Sequence, residues 1–149
     1  MEKAVRRCAI LHLDHIGGSG DPFEFGSARP LDFGHWAAHK LEIMSDYQIG
    51  HGAAVSIGIC IDSHVAMQQG FITESEMDAI LGAFLSCGLP VWDDLLKQRR
   101  NGGVLEILEG LEQFREHLGG RMAITLPHGI GKKIEVDHIH SGEIGRAHV

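Results

Sequence analysis

Apolar and polar positions alternate along this chain mostly with helical period. From Glu2 to His15, Val5, Cys8, Ala9, His12 and Leu13 recur at spacings of three and four with neither Gly nor Pro between them, which predicts a helix over 2–15. Residues 17–30 hold several glycines and two prolines and predict a long loop. A helix follows from His35 to near Ser45, with Asp32 as its expected N-cap. Residues 51–69 are apolar on nearly every face in their first half (Ala53, Ala54, Val55, Ile57, Ile59, Cys60, Ile61), the pattern of a buried central helix.

Thr73-Glu74-Ser75-Glu76 spells a capping box, and the helix it opens runs to Ser86 before Gly88 and Pro90 end it. Residues 91–96 read as a short helix and 97–103 as an exposed turn. Leu105, Leu108, Leu111, Phe114 and Leu118 give an amphipathic helix over 104–118, closed by Gly119-Gly120. Short alternating runs at 122–126 and 133–136, separated by Pro127-His128-Gly129-Ile130-Gly131, predict a small hairpin. The expected fold class is therefore all-α with a terminal β-hairpin.

Composition narrows the possibilities. The 149 residues amount to one domain by length, and 44% hydrophobic with 22% charged residues is ordinary for a globular protein. Thirteen Lys and Arg against 20 Asp and Glu give a formal charge of -7, which argues against nucleic acid as a partner. No apolar run is long enough to span a bilayer, so no membrane role is expected. Cys8, Cys60 and Cys87 are odd in number, lack Cys-x-x-Cys spacing and sit among apolar neighbours; they are expected to be reduced core thiols in a cytoplasmic protein.

The chemistry concentrates between Leu31 and Val65. His35 and His39 are four residues apart and share a helix face, and His51 stands between Gly50 and Gly52 at the start of the next helix. Three imidazoles so arranged could hold a metal or an anion. They could equally be packed or solvated histidines of a helical interaction module, in which case they need not converge. A metal phosphohydrolase is a weaker reading, because the His12–His15 cluster lacks further carboxylates at workable spacing.

Asp32-Phe33-Gly34-His35-x-x-x-His39-x-Leu41-Glu42 followed by His51-Gly52-x-Ala54-Val55-x-Ile57-Gly58 resembles the 3-dehydroquinate synthase and sugar-phosphate cyclase family. That family's helical domain carries Asn-(Phe/Leu)-Gly-His-x-x-x-His-x-x-Glu and then His-Gly-Glu-Ala-Val-x-x-Gly. Cys87-Gly88-Leu89-Pro90-Val91 is similar to its Ala-Gly-Leu-Pro-Val, and Gly119 to Gly131 looks like its closing segment; the likeness runs from about Arg7 to Val136.

The resemblance implies the C-terminal helical domain of a two-domain enzyme over 1–140, with the NAD-binding N-terminal domain missing. Residues 141–149 are expected to be a non-native tail, since the last seven are what a common sequencing adapter spells when translated. The implied activity is a phosphate-eliminating cyclisation of a sugar phosphate, with NAD and a divalent metal (zinc, or another such as cobalt) as cofactors and a homodimer as the complete enzyme. His35 and His51 match metal ligands, whose third partner, a Glu, has no counterpart in this chain. His39 matches a proton-transfer residue near the substrate phosphate.

Asp32, Arg29 and Arg115 fall at or next to substrate-binding positions, and His12 near a family Lys, although a plain helix-face histidine beside His15 serves as well. Asp32 replaces the family's Asn and Ala53 the Glu of His-Gly-Glu, so a divergent cyclase with a substrate other than the dehydroquinate precursor is expected, with dehydroquinate synthase itself as the close alternative. The fragment alone is expected to be inactive.

Overall fold

The computed structural model describes residues 2–18, 30–117, 119–120, 122–139 and 141–144. In order these form α1 (Glu2–Gly18), a 3-10 turn at Pro30–Asp32, α2 (His35–Met44), α3 (His51–Gln68), α4 (Glu74–Ser86), 3-10 turns at Asp94–Lys97 and Glu106–Leu108, α5 (Glu109–His117), β1 (Ile124–Pro127), β2 (Lys133–Val136) and α6 (Ser141–Ile144). The class is all-α with a two-stranded antiparallel hairpin, Ile124 opposite Val136 and Pro127 opposite Lys133. Among the described residues no helix is long and apolar enough to cross a membrane.

The nearly faceless apolar pattern of 51–68 has the consequence expected of it. α3 buries Ala54, Ile57, Cys60, Ile61, Val65 and Ala66 and is packed by α2, α4, β1 and α6. Ile144, inside the stretch read as a tail, is only 4% exposed and belongs to the same core. By contrast α1 buries none of its residues, and Val5, Leu11 and Leu13 are exposed.

Local signals were good guides where the partner of each backbone group lies close in sequence. Thr73 caps α4 through the predicted box: its hydroxyl accepts from the Glu76 N–H at 3.2 Å, and Glu76 Oε2 accepts from the Thr73 N–H at 2.8 Å. Glu76 Oε1 also takes the Ile130 N–H at 3.3 Å, so the box holds the hairpin turn as well.

Three expectations need correction. Asp32 does not cap α2; the N-cap is Gly34, at φ 78, with no side-chain cap. The predicted helix over 104–118 is α-helical only from Glu109, because Arg99 and Leu105 form a bridge that holds the chain extended there and a 3-10 turn follows. Of the three thiols only Cys60 is in the core, where burial pushes its pKa up to about 12; Cys8 and Cys87 are exposed.

The reason Asp32 loses the cap lies in how α2 meets α3. The chain entering α2 touches α3 backbone to backbone at Gly34 and Gly58. A Cβ on Gly34 would lie 2.5 Å from the Ile59 nitrogen, and one on Gly58 would fall onto the Gly34 carbonyl. Only glycine allows this approach, and it brings the Gly34 N–H within reach of α3 rather than of Asp32.

Asp62 on α3, fully buried, accepts that N–H at 2.8 Å and the Trp36 Nε1–H at 2.7 Å. The residues on either side of His35 are thereby anchored to one carboxylate. Lys40, 4% exposed, ties the other end: its ammonium bonds Glu109 at 2.6 Å and reaches Glu106 at 3.5 Å, holding the Glu109 carboxyl below the usual range.

Two predictions test this crossing. Gly58→Ala should destabilise by roughly 3 kcal/mol or more, since backbone rather than a flexible side chain must give way. Gly82→Ala in α4, where a Cβ meets nothing within 4 Å, should instead stabilise by up to about 1 kcal/mol. Urea titrations of both measure the contrast, and equal effects would contradict the close approach.

For Asp62, burial raises the pKa from 3.8 to about 7, while its two hydrogen bonds pull the other way. The folded chain then keeps a proton that the unfolded chain releases, so this contribution is fully present below about pH 4 and lost as pH rises through 7. The stability difference between wild type and Asp62→Asn should therefore shrink with rising pH, by up to roughly 1.4 kcal/mol per unit between those limits. A difference constant across pH 4–7 would contradict it.

Candidate metal and substrate site

α2 and α3 deliver three imidazoles to one place. His35 and His39 stand a turn apart on α2, and His51 opens α3 after a tight connection through Ser45–Gly50. Ring centroids are 5.7 Å apart for His35 and His39, 5.4 Å for His35 and His51, and 6.0 Å for His39 and His51. An interaction module with dispersed histidines has no need of this near-equilateral triangle. Two imidazoles that share a tetrahedral zinc, at about 2.0–2.1 Å from each nitrogen, have ring centres roughly 5 Å apart, and the His35–His51 separation is of that size.

The hydrogen bonds on the rings sharpen the fit. His35 Nδ1 lies 3.2 Å from the Phe33 carbonyl and His51 Nδ1 lies 3.2 Å from Glu42 Oε2. Both oxygens only accept, so in the neutral rings Nδ1 carries the hydrogen and Nε2 keeps a lone pair. That is the arrangement of a metal-binding histidine whose second nitrogen is held by a carbonyl or carboxylate. Among the described residues, the set of three side chains whose ligand atoms all lie within 4.8 Å of one another is His39, Glu42 and His51, and His35 is not part of it.

His39 is exposed and lines a cavity of about 210 Å³ with Trp36, Gly110, Gln113 and Phe114, where α5 closes on α2. A larger cavity of about 530 Å³ between α3 and α4, lined by Cys60, His64, Met77 and Trp92 among others, includes none of the three imidazoles. Size alone does not locate the chemistry.

The remaining expected residues are less gathered. Asp32 is half-buried in the 3-10 turn before Gly34, close in sequence to the triad. Arg115 pairs with Glu112 at 2.7 Å on the outer side of α5 and does not line the cavity beside His39. Arg29 lies outside the described residues, as do Phe23 and Phe25. His12 is on the exposed α1. Ala53 puts a half-buried methyl two positions after His51, where the family's Glu would stand.

Two residues were not foreseen in any role. Asp62 is the only acidic residue of α3, and a charge there must be partnered if the helix is buried, a signal present in the sequence. Glu42 was visible only as a letter of the motif.

Comparison with known proteins shows the family of the chain. A family profile described as 3-dehydroquinate synthase C-terminal matches residues 1–111. A 2-epi-valiolone synthase of Actinosynnema mirum is 29% identical over 129 residues, covering 85% of this chain and 33% of that protein. A 3-dehydroquinate synthase of Thermococcus kodakarensis is 28% identical over 146 residues, 98% of this chain and 39% of the other.

Among solved structures, ValA, the 2-epi-5-epi-valiolone synthase of Streptomyces hygroscopicus subsp. jinggangensis 5008, determined with NAD+ and Zn2+ bound, superposes with a TM-score of 0.83. It is 26% identical over 97% of this chain and 38% of its own. The chain thus spans between a third and two fifths of the length of these relatives. With the profile covering most of its residues and the fold shared over nearly all of them, this chain belongs to the 3-dehydroquinate synthase C-terminal domain family.

Proposed function

We propose that the chain is the metal- and substrate-binding half of a sugar-phosphate cyclase, one that cyclises its substrate with NAD and loss of phosphate, and whose substrate differs from that of dehydroquinate synthase. The observation that carries this reading is the pair of rings, His35 and His51, each with Nδ1 against an oxygen and Nε2 left to bind, their centroids 5.4 Å apart. His35 and His51 would hold a divalent ion, zinc or another such as cobalt, completed by a Glu outside this chain. When bound, the ion supplies Lewis-acid polarisation of a substrate oxygen, and NAD, held mainly by a nucleotide-binding half, supplies the hydride acceptor.

The chain's own residues divide the remaining work. His39, exposed beside the cavity under α5, takes or returns a proton near the substrate phosphate, a task to which imidazole is suited at neutral pH. Asp32 accepts a hydrogen bond from a sugar hydroxyl, where the family's Asn could also donate one. Arg29 and Arg115 meet the anionic groups, with Arg115 exchanging its Glu112 partner for substrate. The methyl of Ala53 in place of a carboxylate, together with Asp32, supports a substrate of different hydroxyl pattern. Free thiols at Cys8, Cys60 and Cys87 suit a reducing, cytoplasmic setting.

Two outcomes are expected. Zinc affinity, measured by chelator competition, should fall at least 10-fold in His35→Ala and stay within a few-fold of wild type in His39→Ala; in an enzyme completed by its nucleotide-binding half, His39→Ala should instead lower turnover. Equal loss of zinc in both would show the roles to be reversed or shared. Second, the chain incubated with zinc, NAD and heptulose phosphates should release no more phosphate than a His35→Ala control. Turnover above that control would contradict the two-half account.

A further inference from the structure

We infer that Glu42 is a positioning residue: it orients His51 for the ion without binding the ion itself. This rests on the reading of His35 and His51 as ligands given above. Glu42 projects from α2 three residues beyond His39, and its side chain is 18% exposed while that of His51 is 54% exposed. The imidazole is therefore the more exposed partner and the carboxylate the more buried one. Because an ionised carboxylate only accepts, the 3.2 Å contact with His51 Nδ1 selects the tautomer that carries its hydrogen there, and the Nε2 lone pair is the one left for a metal.

The connection between α2 and α3 is built around the same residue. The Glu42 carbonyl accepts from the Tyr47 N–H at 2.7 Å and from the Ser45 hydroxyl at 3.0 Å. The Ser45 hydroxyl in turn accepts from the Ile49 N–H at 3.2 Å. Asp46 and Tyr47 both adopt left-handed conformations, φ 51 and 58, which a bulky side chain such as that of Tyr rarely takes. The turn is thus held in an uncommon shape by Glu42 and its neighbours, and that shape returns the start of α3 to the Glu42 side chain.

His35 shows the parallel arrangement with a neutral acceptor, the Phe33 carbonyl. One ligand ring is held by a backbone dipole and the other by a full negative charge.

Direct ligation by Glu42 is the rival, since its carboxylate lies within 4.8 Å of ligand atoms on His39 and His51. Three measurements on wild type, Glu42→Gln and Glu42→Ala separate the roles: zinc affinity by chelator competition, the visible spectrum of the Co2+ form, and the His51 tautomer in the metal-free chain. The last is read from long-range 1H–15N correlations at pH 8, where an ordinary imidazole is neutral.

An orienting Glu42 predicts Nδ1–H at His51 in wild type, loss of that preference in Glu42→Ala, and a zinc affinity lowered roughly 10–100-fold in the alanine variant. Glu42→Gln, which keeps an accepting oxygen, should recover most of the affinity with an unchanged Co2+ spectrum. The inference is overturned if Glu42→Gln loses as much affinity as Glu42→Ala with an altered Co2+ spectrum, which would make Glu42 a ligand. It is overturned equally if neither variant changes affinity or tautomer. If the wild-type chain binds no zinc, the ligand reading fails as well, while the tautomer still reports whether the carboxylate orients the ring.

Discussion

Where Gly34 meets Gly58, the backbones of α2 and α3 are in contact, and one buried carboxylate, Asp62, holds the N–H groups on both sides of His35. This contact sets how far the His35 ring stands from the first turn of α3, where His51 sits. A side chain at either glycine would push the helices apart and open the imidazole triangle. Burying Asp62 is costly on desolvation grounds, and the two donors it satisfies would otherwise be buried without partners. The crossing is the constraint on which core packing and site geometry both depend.

Around that crossing, charge is distributed by burial. Lys40 is neutralised by Glu109 and Glu106. Arg100 adds a second cation to Glu109 at 3.1 Å. Next to the His35 and His51 rings stand an acceptor carbonyl and the Glu42 carboxylate. A cation brought to Nε2 of His35 and His51 would meet lone pairs backed by partial or full negative charge.

The fold was legible because its signals are local or periodic: the apolar run of α3, the Thr73 box, the alternating strands around Pro127–Gly131. The site was legible in part, through the i, i+4 spacing of His35 and His39 and the place of His51 between two glycines at the start of the next helix. What escaped depends on contacts distant in sequence. Asp32 has the side chain of a cap, yet Gly34 takes the position because α3, 24 residues further along at Gly58, approaches too closely for any other residue. The late start of α5 follows from the Arg99–Leu105 bridge, and the function of Glu42 from a turn in which Asp46 and Tyr47 adopt conformations that propensity disfavours.

Anomalous diffraction from crystals of the chain soaked in zinc would test the central claim most directly. The account predicts a single strong peak within coordination distance of Nε2 of both His35 and His51, with Glu42 still on Nδ1 of His51 and His39 standing off the ion. A peak held by His39 and the Glu42 carboxylate, or none between His35 and His51 in crystals that bind zinc elsewhere, would contradict it.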